Sequence, residues 1–284
     1  MTGRPTIILA AALVAGAPAL DAAPRAPRAT RQAHGAGSSS TQLAAYRDTI
    51  EGTLVVFEMV PVPPGSVAVV GPEGRQTVEV GPFWIGRTEV TWDEFDVFAL
   101  QLDTPASGVG ADATARPSKP YGAPDRGYGH TGYPAISVTR HAAEAYCAWL
   151  SAKTGRTYRL PTDAEWSRAA TIALPARDAP DHARLDGLAW LRTNAGGATH
   201  PVGSKEPDAL GLHDLLGNAA EWVVLADGSA VVRGGSYRDP PERVRPDARA
   251  RQTDSWNESD PQIPKSRWWL SDGPFVGFRI VRVP

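Results

Sequence analysis

Two acidic residues flank a glycine turn in the segment 214–221 and suggest a cation site. Asp214 and Glu221 lie on either side of Gly217 in the sequence Asp-Leu-Leu-Gly-Asn-Ala-Ala-Glu. Calcium takes about six to eight oxygen ligands and accepts backbone carbonyls as well as carboxylates. The segment therefore predicts a bound calcium ion. The alternative is a glycine turn whose carboxylates are solvated or bonded to backbone amides.

A second chemical feature is the polar and aromatic segment 249–269. Aromatic faces beside arginine and carboxylate groups suit an extended ligand such as a peptide, a protein segment or a glycan, because the rings stack while the polar groups orient it. We therefore predict a ligand pocket lined by Arg249, Arg251, Asp254, Trp256 and Trp269. The alternative is that the tryptophans, including Trp268, fill the core while the charges face water.

Cysteine and histidine usage limits the redox and metal chemistry of the chain. The only cysteine, Cys147, lies in a helical pattern and is predicted to be a buried apolar residue. A nucleophilic role would need a lowered pKa and access to solvent. A single cysteine also excludes an internal disulfide. The six histidines show no metal-ligand spacing such as His-x-x-x-His, so an iron site could be assembled only from distant residues.

Composition and the amino-terminal segment bear on location and partners. The net charge of −2, with both signs interspersed, gives no electrostatic footprint for nucleic acid. Residues 1–23 resemble a cleaved secretory signal, with one basic residue, a short apolar run and small residues. We expect export to the periplasm or the extracellular space, with no membrane span after cleavage. An uncleaved N-terminal anchor is the alternative.

The rest of the chain is predicted to hold one folded domain over 51–284. Residues 24–50, rich in Ala, Pro, Arg and Gly, predict a disordered linker that ends in a short helix between 41 and 50. Strands are expected at 54–60 and 76–85 from their β-branched and aromatic content. The apolar residues of the segment 102–133 follow no helical or strand periodicity, which predicts a long structured loop.

Capping signals place three helices in this domain. Thr91 precedes an apolar stripe at Trp92, Phe95 and Phe98, which predicts a helix start. A second helix is expected over 141–154, closed by a glycine. The third follows Thr162, where Glu165 at the third helical position completes a capping box.

Five phrases of the sequence resemble the formylglycine-generating enzyme family, also called the sulfatase-modifying factor domain. They are Glu89-Val-Thr91, Arg159-Leu-Pro-Thr-Asp-Ala-Glu-Trp166, the glycine-rich run 211–222, Arg233-Gly-Gly-Ser-Tyr237 and Gly277-Phe-Arg-Ile-Val-Arg282. The resemblance covers about 54–284. It implies a mixed α/β (α+β) fold of low secondary-structure content related to C-type lectins, with few helices, small antiparallel sheets and long ordered loops.

The resemblance also implies a ligand set for the calcium ion. In the enzymes, the matching stretch binds a structural calcium through an Asn side chain, two backbone carbonyls and a Glu side chain. These positions correspond to Asp214, Gly217, Ala219 and Glu221 here, with Asp in place of Asn. A second calcium site of the family is not expected, because the segment 189–203 lacks its acidic partner.

The copper site of the family is missing from this sequence. In the catalytic members two cysteines bind Cu(I) as soft thiolates, and their positions fall near Asp239 and Val244 here. Neither residue type can hold Cu(I), so we expect no copper and no copper-dependent formylglycine formation. Candidate cleft residues that remain are Ser236, Tyr237, Asp239, Arg249 and Arg251.

Three hypotheses about function follow from these observations. The first is an exported, calcium-stabilised binding or accessory module for a peptide or glycan. The second is an oxidoreductase or other modifying enzyme of the same family that uses a non-cysteine site near Ser236, Tyr237 and Asp239. The third is a structural component of an exported assembly. Fold alone does not choose among them.

Overall fold

The computed structural model describes residues 43–71, 74–103, 115–174 and 182–284. The predicted signal segment and residues 24–42 of the predicted linker lie outside these residues. Within the described part of the chain, no helix combines the length and the apolar character needed to cross a bilayer.

Short helices and many short strands make up the described chain. The helices are α1 (Trp92–Ala99), α2 (Arg140–Thr154), α3 (Asp163–Ala173) and α4 (His182–Leu188). The strands are β1 (Tyr46–Thr49), β2 (Val56–Val62), β3 (Gly65–Gly71), β4 (Gly74–Val80), β5 (Phe83–Gly86), β6 (Tyr158–Arg159), β7 (Ala220–Val224), β8 (Ala230–Arg233), β9 (Arg249–Ala250), β10 (Val276–Gly277) and β11 (Val281–Arg282). This mixed α/β composition is the fold class that the sequence predicts.

All three predicted helices form: α1 and α3 begin at the predicted caps Thr91 and Thr162, and α2 ends at the predicted cap Gly155. The side chains of Thr91 and Thr162 each accept a hydrogen bond from the backbone N–H of the glutamate at the third helical position. The side chain of each glutamate in turn accepts from the backbone N–H of its threonine, so both capping boxes form. Gly155 closes α2 in the left-handed conformation, at φ 66°. Local side-chain chemistry therefore decides these boundaries.

Three sheets organise the strands. The largest has the order β1-β2-β5-β11-β6 and is antiparallel, and the second has the order β10-β7-β8-β9. Its β10–β7 pair is parallel, whereas its other pairs are antiparallel. Strands β3 and β4 form a separate hairpin that contacts α3.

One helix prediction and one strand prediction need correction. The short helix expected between 41 and 50 is wrong, because Tyr46–Thr49 is the edge strand β1 and pairs with β2. The Tyr46 ring packs edge-on against Trp84, and its hydroxyl lies 3.0 Å from that of Tyr158. The single strand expected at 76–85 is two strands, β4 and β5, since Gly81 and Pro82 interrupt it.

The core is aromatic and takes in residues that were predicted as ligand contacts. Trp92, Phe95, Tyr146 and Phe278 are all nearly inaccessible to solvent and pack ring against ring. Trp256, Trp268 and Trp269 are also buried, which is the alternative arrangement stated for them. Cys147 is buried in α2, and burial raises the pKa of its thiol.

Candidate functional site

A glycine turn after β8 places the candidate catalytic residues Ser236, Tyr237 and Asp239. Gly234 and Gly235 adopt φ of 83° and 71°, a conformation that favours glycine. The backbone N–H and the hydroxyl of Ser236 both donate to Asp239 Oδ2, at 2.9 Å each. Ser236 is fully buried. The serine and the aspartate therefore close a turn, and neither residue lines the cleft beside Tyr237.

Tyr237 lies at the wall of an open cleft of about 690 Å³. Its hydroxyl is 3.1 Å from that of Tyr128, and burial raises the pKa of Tyr237, so this hydroxyl stays protonated. Three arginines also line the cleft: Arg126, Arg192 and Arg238. We call this space, with Ser271 and Asp272 at its edge, the basic cleft.

A second, more apolar space adjoins the basic cleft. It measures about 310 Å³ and is lined by Pro120, Pro124, Trp269, Leu270 and other residues of the same loops. Arg126 and Ser271 line both spaces, so the two are adjacent. We call the second space the apolar pocket and the two together the groove. Of the five residues predicted to bind a ligand, only Trp269 lines it.

The other predicted ligand residues lie elsewhere, so the predicted pocket is not a single site. Arg249 and Arg251 line a separate cavity beside β3 and β4, and Arg249 donates to both carboxylate oxygens of Asp163 at 3.1 and 2.6 Å. Trp256 packs against Trp222 and Phe275, and Asp254 is exposed and lines neither space. Arg249 is therefore held by an ion pair, and Trp256 is part of the packed core.

The predicted calcium segment forms part of a buried charge cluster. Asp214 and Glu221 are buried, and Glu89 lies beside them. Arg279, the cation of the cluster, contacts Glu221 Oε1 through Nε at 2.9 Å and Nη2 at 2.7 Å. Trp166 donates to Glu221 Oε2 at 2.8 Å. Neither Glu89 nor Arg279 was predicted from the sequence to belong to a cluster of charged residues.

Electrostatics in this cluster favour an additional positive charge. Burial raises the pKa of Glu89, and the charges of Asp214 and Glu221 raise it further. The pKa of Asp214 is also raised, chiefly by burial. Asp214 Oδ2 accepts from the backbone of Gly203 at 2.7 Å, whereas its Oδ1 is buried without a hydrogen-bond partner in the described chain. An oxygen in that state is a suitable cation ligand.

The side chains alone do not complete a metal cage. Over the described ranges, no group of three or more His, Cys, Asp or Glu side chains is arranged to hold a metal ion. A calcium ion would therefore depend on the backbone carbonyls of Gly217 and Ala219 together with Asp214. Glu221 is already bonded by Arg279 and Trp166, so it has less free capacity than the predicted ligand set assumes.

A histidine latch holds the loop that carries Arg126 and Tyr128. His130 stacks on Trp92, with ring centroids 5.2 Å apart. Its Nδ1 lies 2.9 Å from an Asp125 oxygen and its Nε2 lies 2.8 Å from an Asp96 oxygen. Only the protonated ring can donate to both carboxylates. Partial burial lowers the pKa of His130, but these two bonds outweigh it and the net shift is upward.

The latch predicts a pH-dependent contribution to stability. A raised folded-state pKa means that the contribution is complete below the ordinary histidine value of about 6.5 and is lost as pH rises through the folded value. The Tm gap between the wild type and His130→Phe, which retains a ring on Trp92, should thus shrink from about pH 6 to about pH 9. His141→Phe is the control, because the pKa of His141 is lowered by burial and by Arg267, and its gap should change in the opposite direction. A pH-independent gap for His130→Phe would contradict the latch.

Residues at the expected copper positions are structural. Asp239 binds the Ser236 turn, and its carbonyl accepts from the backbone of Arg192 at 3.0 Å. Val244 is 1% exposed and packs in the core against Gly235. Neither position presents a soft ligand to the cleft.

Comparison with known proteins identifies the family. The fold and the groove define a mixed α/β domain built of ordered loops around small sheets. Residues 49–262 match the family described as sulfatase-modifying factor enzyme 1-like domain. Because the match covers well over half of the chain, the chain belongs to this family.

Individual relatives carry different names. The chain is 32% identical over 127 residues to a Bos taurus protein named inactive C-alpha-formylglycine-generating enzyme 2, a match over 38% of this chain and 39% of that protein. It is 32% identical over 164 residues to the Mycobacterium tuberculosis formylglycine-generating enzyme, over 43% of this chain and 53% of that protein. The matches thus span less than two thirds of either relative.

A solved structure shares the fold over a larger part of the chain. Treponema denticola variable protein 1 is similar with a TM-score of 0.60, over 85% of this chain and 100% of that one, at 21% identity. This similarity confirms the fold that the sequence predicts and carries no functional conclusion.

Proposed function

We propose that this protein is an exported binding or accessory module of the family, which accepts an extended peptide or glycan in the groove and does not perform copper-dependent formylglycine formation. The observation that carries the proposal is the replacement of the copper ligands by Asp239, which closes a turn, and Val244, which is buried in the core. The only cysteine is buried in α2. The inactive designation of the bovine relative supports the same reading.

The enzymatic alternative gains less support from the cleft. A non-cysteine enzyme would need an acid or base aimed at a substrate. The Ser236 hydroxyl already donates its hydrogen to Asp239, and the raised pKa of Tyr237 disfavours the use of Tyr237 as a base. Among the described residues that line the basic cleft, none is a histidine.

The absence of copper chemistry is tested with a peptide substrate. We expect no formylglycine when the protein is incubated with a Cys-x-Pro-x-Arg peptide, copper and oxygen, because no thiolate pair is available to bind Cu(I). Mass spectrometry of the peptide measures the outcome, with the Mycobacterium tuberculosis enzyme as positive control. Formylglycine in the sample with this protein would overturn the proposal.

Binding in the groove is tested with defined peptide and glycan arrays. Ala123 is exposed and lines the apolar pocket, so Ala123→Trp should fill the pocket and abolish retention of the ligands that the wild type retains. Ala152→Trp, at an exposed position of α2, is the matched control and should retain them. No ligand on either array, or equal retention by Ala123→Trp, would contradict the proposal.

We also propose that calcium stabilises the buried charge cluster. Three carboxylates and one guanidinium leave two negative charges uncompensated when all are ionised, and Asp214 Oδ1 has no partner in the described chain. At a free concentration about 100 times its Kd, an ion stabilises the folded state by about 2.7 kcal/mol. Chelator-treated protein should therefore show a higher Tm when calcium is added.

Variants separate a specific site from general ionic effects. Asp214→Ala should abolish the calcium-dependent rise in Tm, whereas Asp227→Ala, which removes an exposed carboxylate bonded to Ser229, should leave it unchanged. The calcium proposal fails if the wild type shows no rise, or if Asp214→Ala shows the same rise.

A further inference from the structure

The basic cleft carries an excess of positive charge. Three guanidinium groups and one carboxylate, Asp272, line it, so three minus one leaves two positive charges. Asp272 accepts hydrogen bonds at 2.7 Å from the Ser259 N–H, the Ser259 hydroxyl and the Ser271 hydroxyl. These bonds engage both of its oxygens. The carboxylate therefore serves mainly to hold the loop, and the cleft remains suited to anions.

Two of the three arginines are available to a ligand. The guanidinium groups of Arg192 and Arg238 form no hydrogen bond or ion pair with the described residues, although that of Arg238 lies 4.6 Å from the Phe275 ring centroid. Both side chains belong to exposed residues. Arg126, in contrast, donates to the carbonyl of Ser271 and is fixed. The backbone bond from Arg192 to Asp239 connects the two segments that carry the available arginines.

The tyrosine pair adds a neutral donor. In the contact between Tyr128 and Tyr237, one hydroxyl donates to the other, which leaves one hydroxyl hydrogen to be placed elsewhere. Carboxylates bind well where arginine forks and hydroxyl donors converge. The donors of the cleft thus match a carboxylate better than they match a neutral or a cationic group.

The combination of an apolar space with a basic one favours a peptide over a glycan. Tyr121 is 79% exposed at the apolar pocket and offers a ring to either kind of ligand, whereas Tyr237 is 3% exposed and its ring packs edge-on against Tyr128. Trp269 is 8% exposed and stacks on Trp92. The apolar pocket beside the cleft, at about 310 Å³, has room for an apolar side chain. An extended chain with an apolar residue next to acidic residues complements both spaces.

We propose that the occupant of the groove is an acidic peptide segment, which places an apolar side chain in the apolar pocket and neighbouring carboxylates on Arg192 and Arg238. This inference rests on the proposed binding function and specifies its ligand class. The remaining hydroxyl hydrogen of the pair Tyr128 and Tyr237 completes the carboxylate contacts. The occupant is thus opposite in charge to the arginine-containing peptide of the copper assay.

The test compares three peptides that differ only in charge. Short fluorescent peptides with blocked termini, containing Leu-Glu-Glu, Leu-Gln-Gln or Leu-Lys-Lys, are titrated with the protein and followed by anisotropy. We expect the Glu peptide to bind about ten-fold or more tightly than the Gln peptide, because each charge-assisted contact contributes on the order of a ten-fold change in Kd. Added salt should weaken the Glu peptide selectively.

Arginine variants locate the contacts. Arg192→Ala and Arg238→Ala should each weaken the Glu peptide about ten-fold and leave the Gln peptide nearly unchanged. Arg245→Ala is the matched control, because Arg245 is exposed, pairs with Asp247 and lines a different cavity. It should leave both peptides unchanged.

The possible outcomes separate this inference from the proposed function. Equal binding of the Glu and Gln peptides, a preference for Lys, or equal effects of the three arginine variants would overturn the acidic ligand while leaving a binding groove in place. An acidic glycan retained on the array, with no binding of the Glu peptide, would also overturn it. If neither array yields a ligand that Ala123→Trp loses, the binding function itself fails.

Discussion

Replacement of Arg279 by methionine is expected to lower the free energy of unfolding by about 3–5 kcal/mol, as is typical when one partner of a buried ion pair is removed. Arg279 is fully buried and donates to the carbonyls of Gly86 and His213 at 2.8 Å, as well as to Glu221. Its loss leaves two carbonyls without this donor and three buried carboxylates without their cation.

Urea unfolding followed by tryptophan fluorescence measures this loss. Arg47→Met is the control, because Arg47 pairs with Glu58 at the surface with 75% of its side chain exposed, and exposed pairs contribute about 0–1 kcal/mol. Adding Glu221→Gln to Arg279→Met should recover part of the stability, since one buried charge is removed. Comparable losses for the two arginines would show that the buried cluster is not required for folding.

Replacement of Gly217 by alanine is expected to cost about 3 kcal/mol or more, because backbone strain and a steric clash occur together. Gly217 has φ of 77°, and a Cβ there would lie 2.4 Å from the carbonyl oxygen of Trp190. That oxygen also accepts from the backbone N–H of Asn218 at 2.9 Å. The neighbour is therefore backbone, and it cannot move away as a flexible side chain would.

Gly228→Ala provides a matched control for the strain alone. Gly228 has φ of 79° with nothing within 4 Å of the added Cβ, so it should cost about 1–2 kcal/mol. Equilibrium unfolding of both variants separates the clash from the strain. Equal costs would mean that the segment 214–221 can shift to accept a side chain.

The sequence predicted the elements whose boundaries depend on nearby residues. Both capping boxes and the glycine that ends α2 act within a few positions, so Thr91, Thr162 and Gly155 were sufficient to place them. Strand β1 was predicted as a helix because its partner β2 lies beyond a turn. The hairpin of β3 and β4 was missed in part for the same reason, since strand pairing depends on tertiary context more than on propensity.

The candidate site also combines features that nearby residues determine with features that depend on tertiary contacts. The glycine-rich segment 214–221 is contiguous and could be found as a motif, whereas Arg279, its cation, is 58 residues from Glu221. The basic cleft combines Arg126, Arg192 and Arg238 from three separate loops. Their juxtaposition is set by the fold, and no spacing in the sequence encodes it. We predicted a ligand site in the segment 249–269 because residue type alone does not distinguish a tryptophan that fills the core from one that stacks on a ligand.

The position of β11 has a consequence for the order of folding. This strand, formed by Val281 and Arg282, lies between β5 and β6 in the largest sheet, and β10 just before it pairs with β7. Two sheets therefore lack a member until residues near 282 have left the ribosome. Closing the core therefore depends on contacts of high sequence separation, which slow folding.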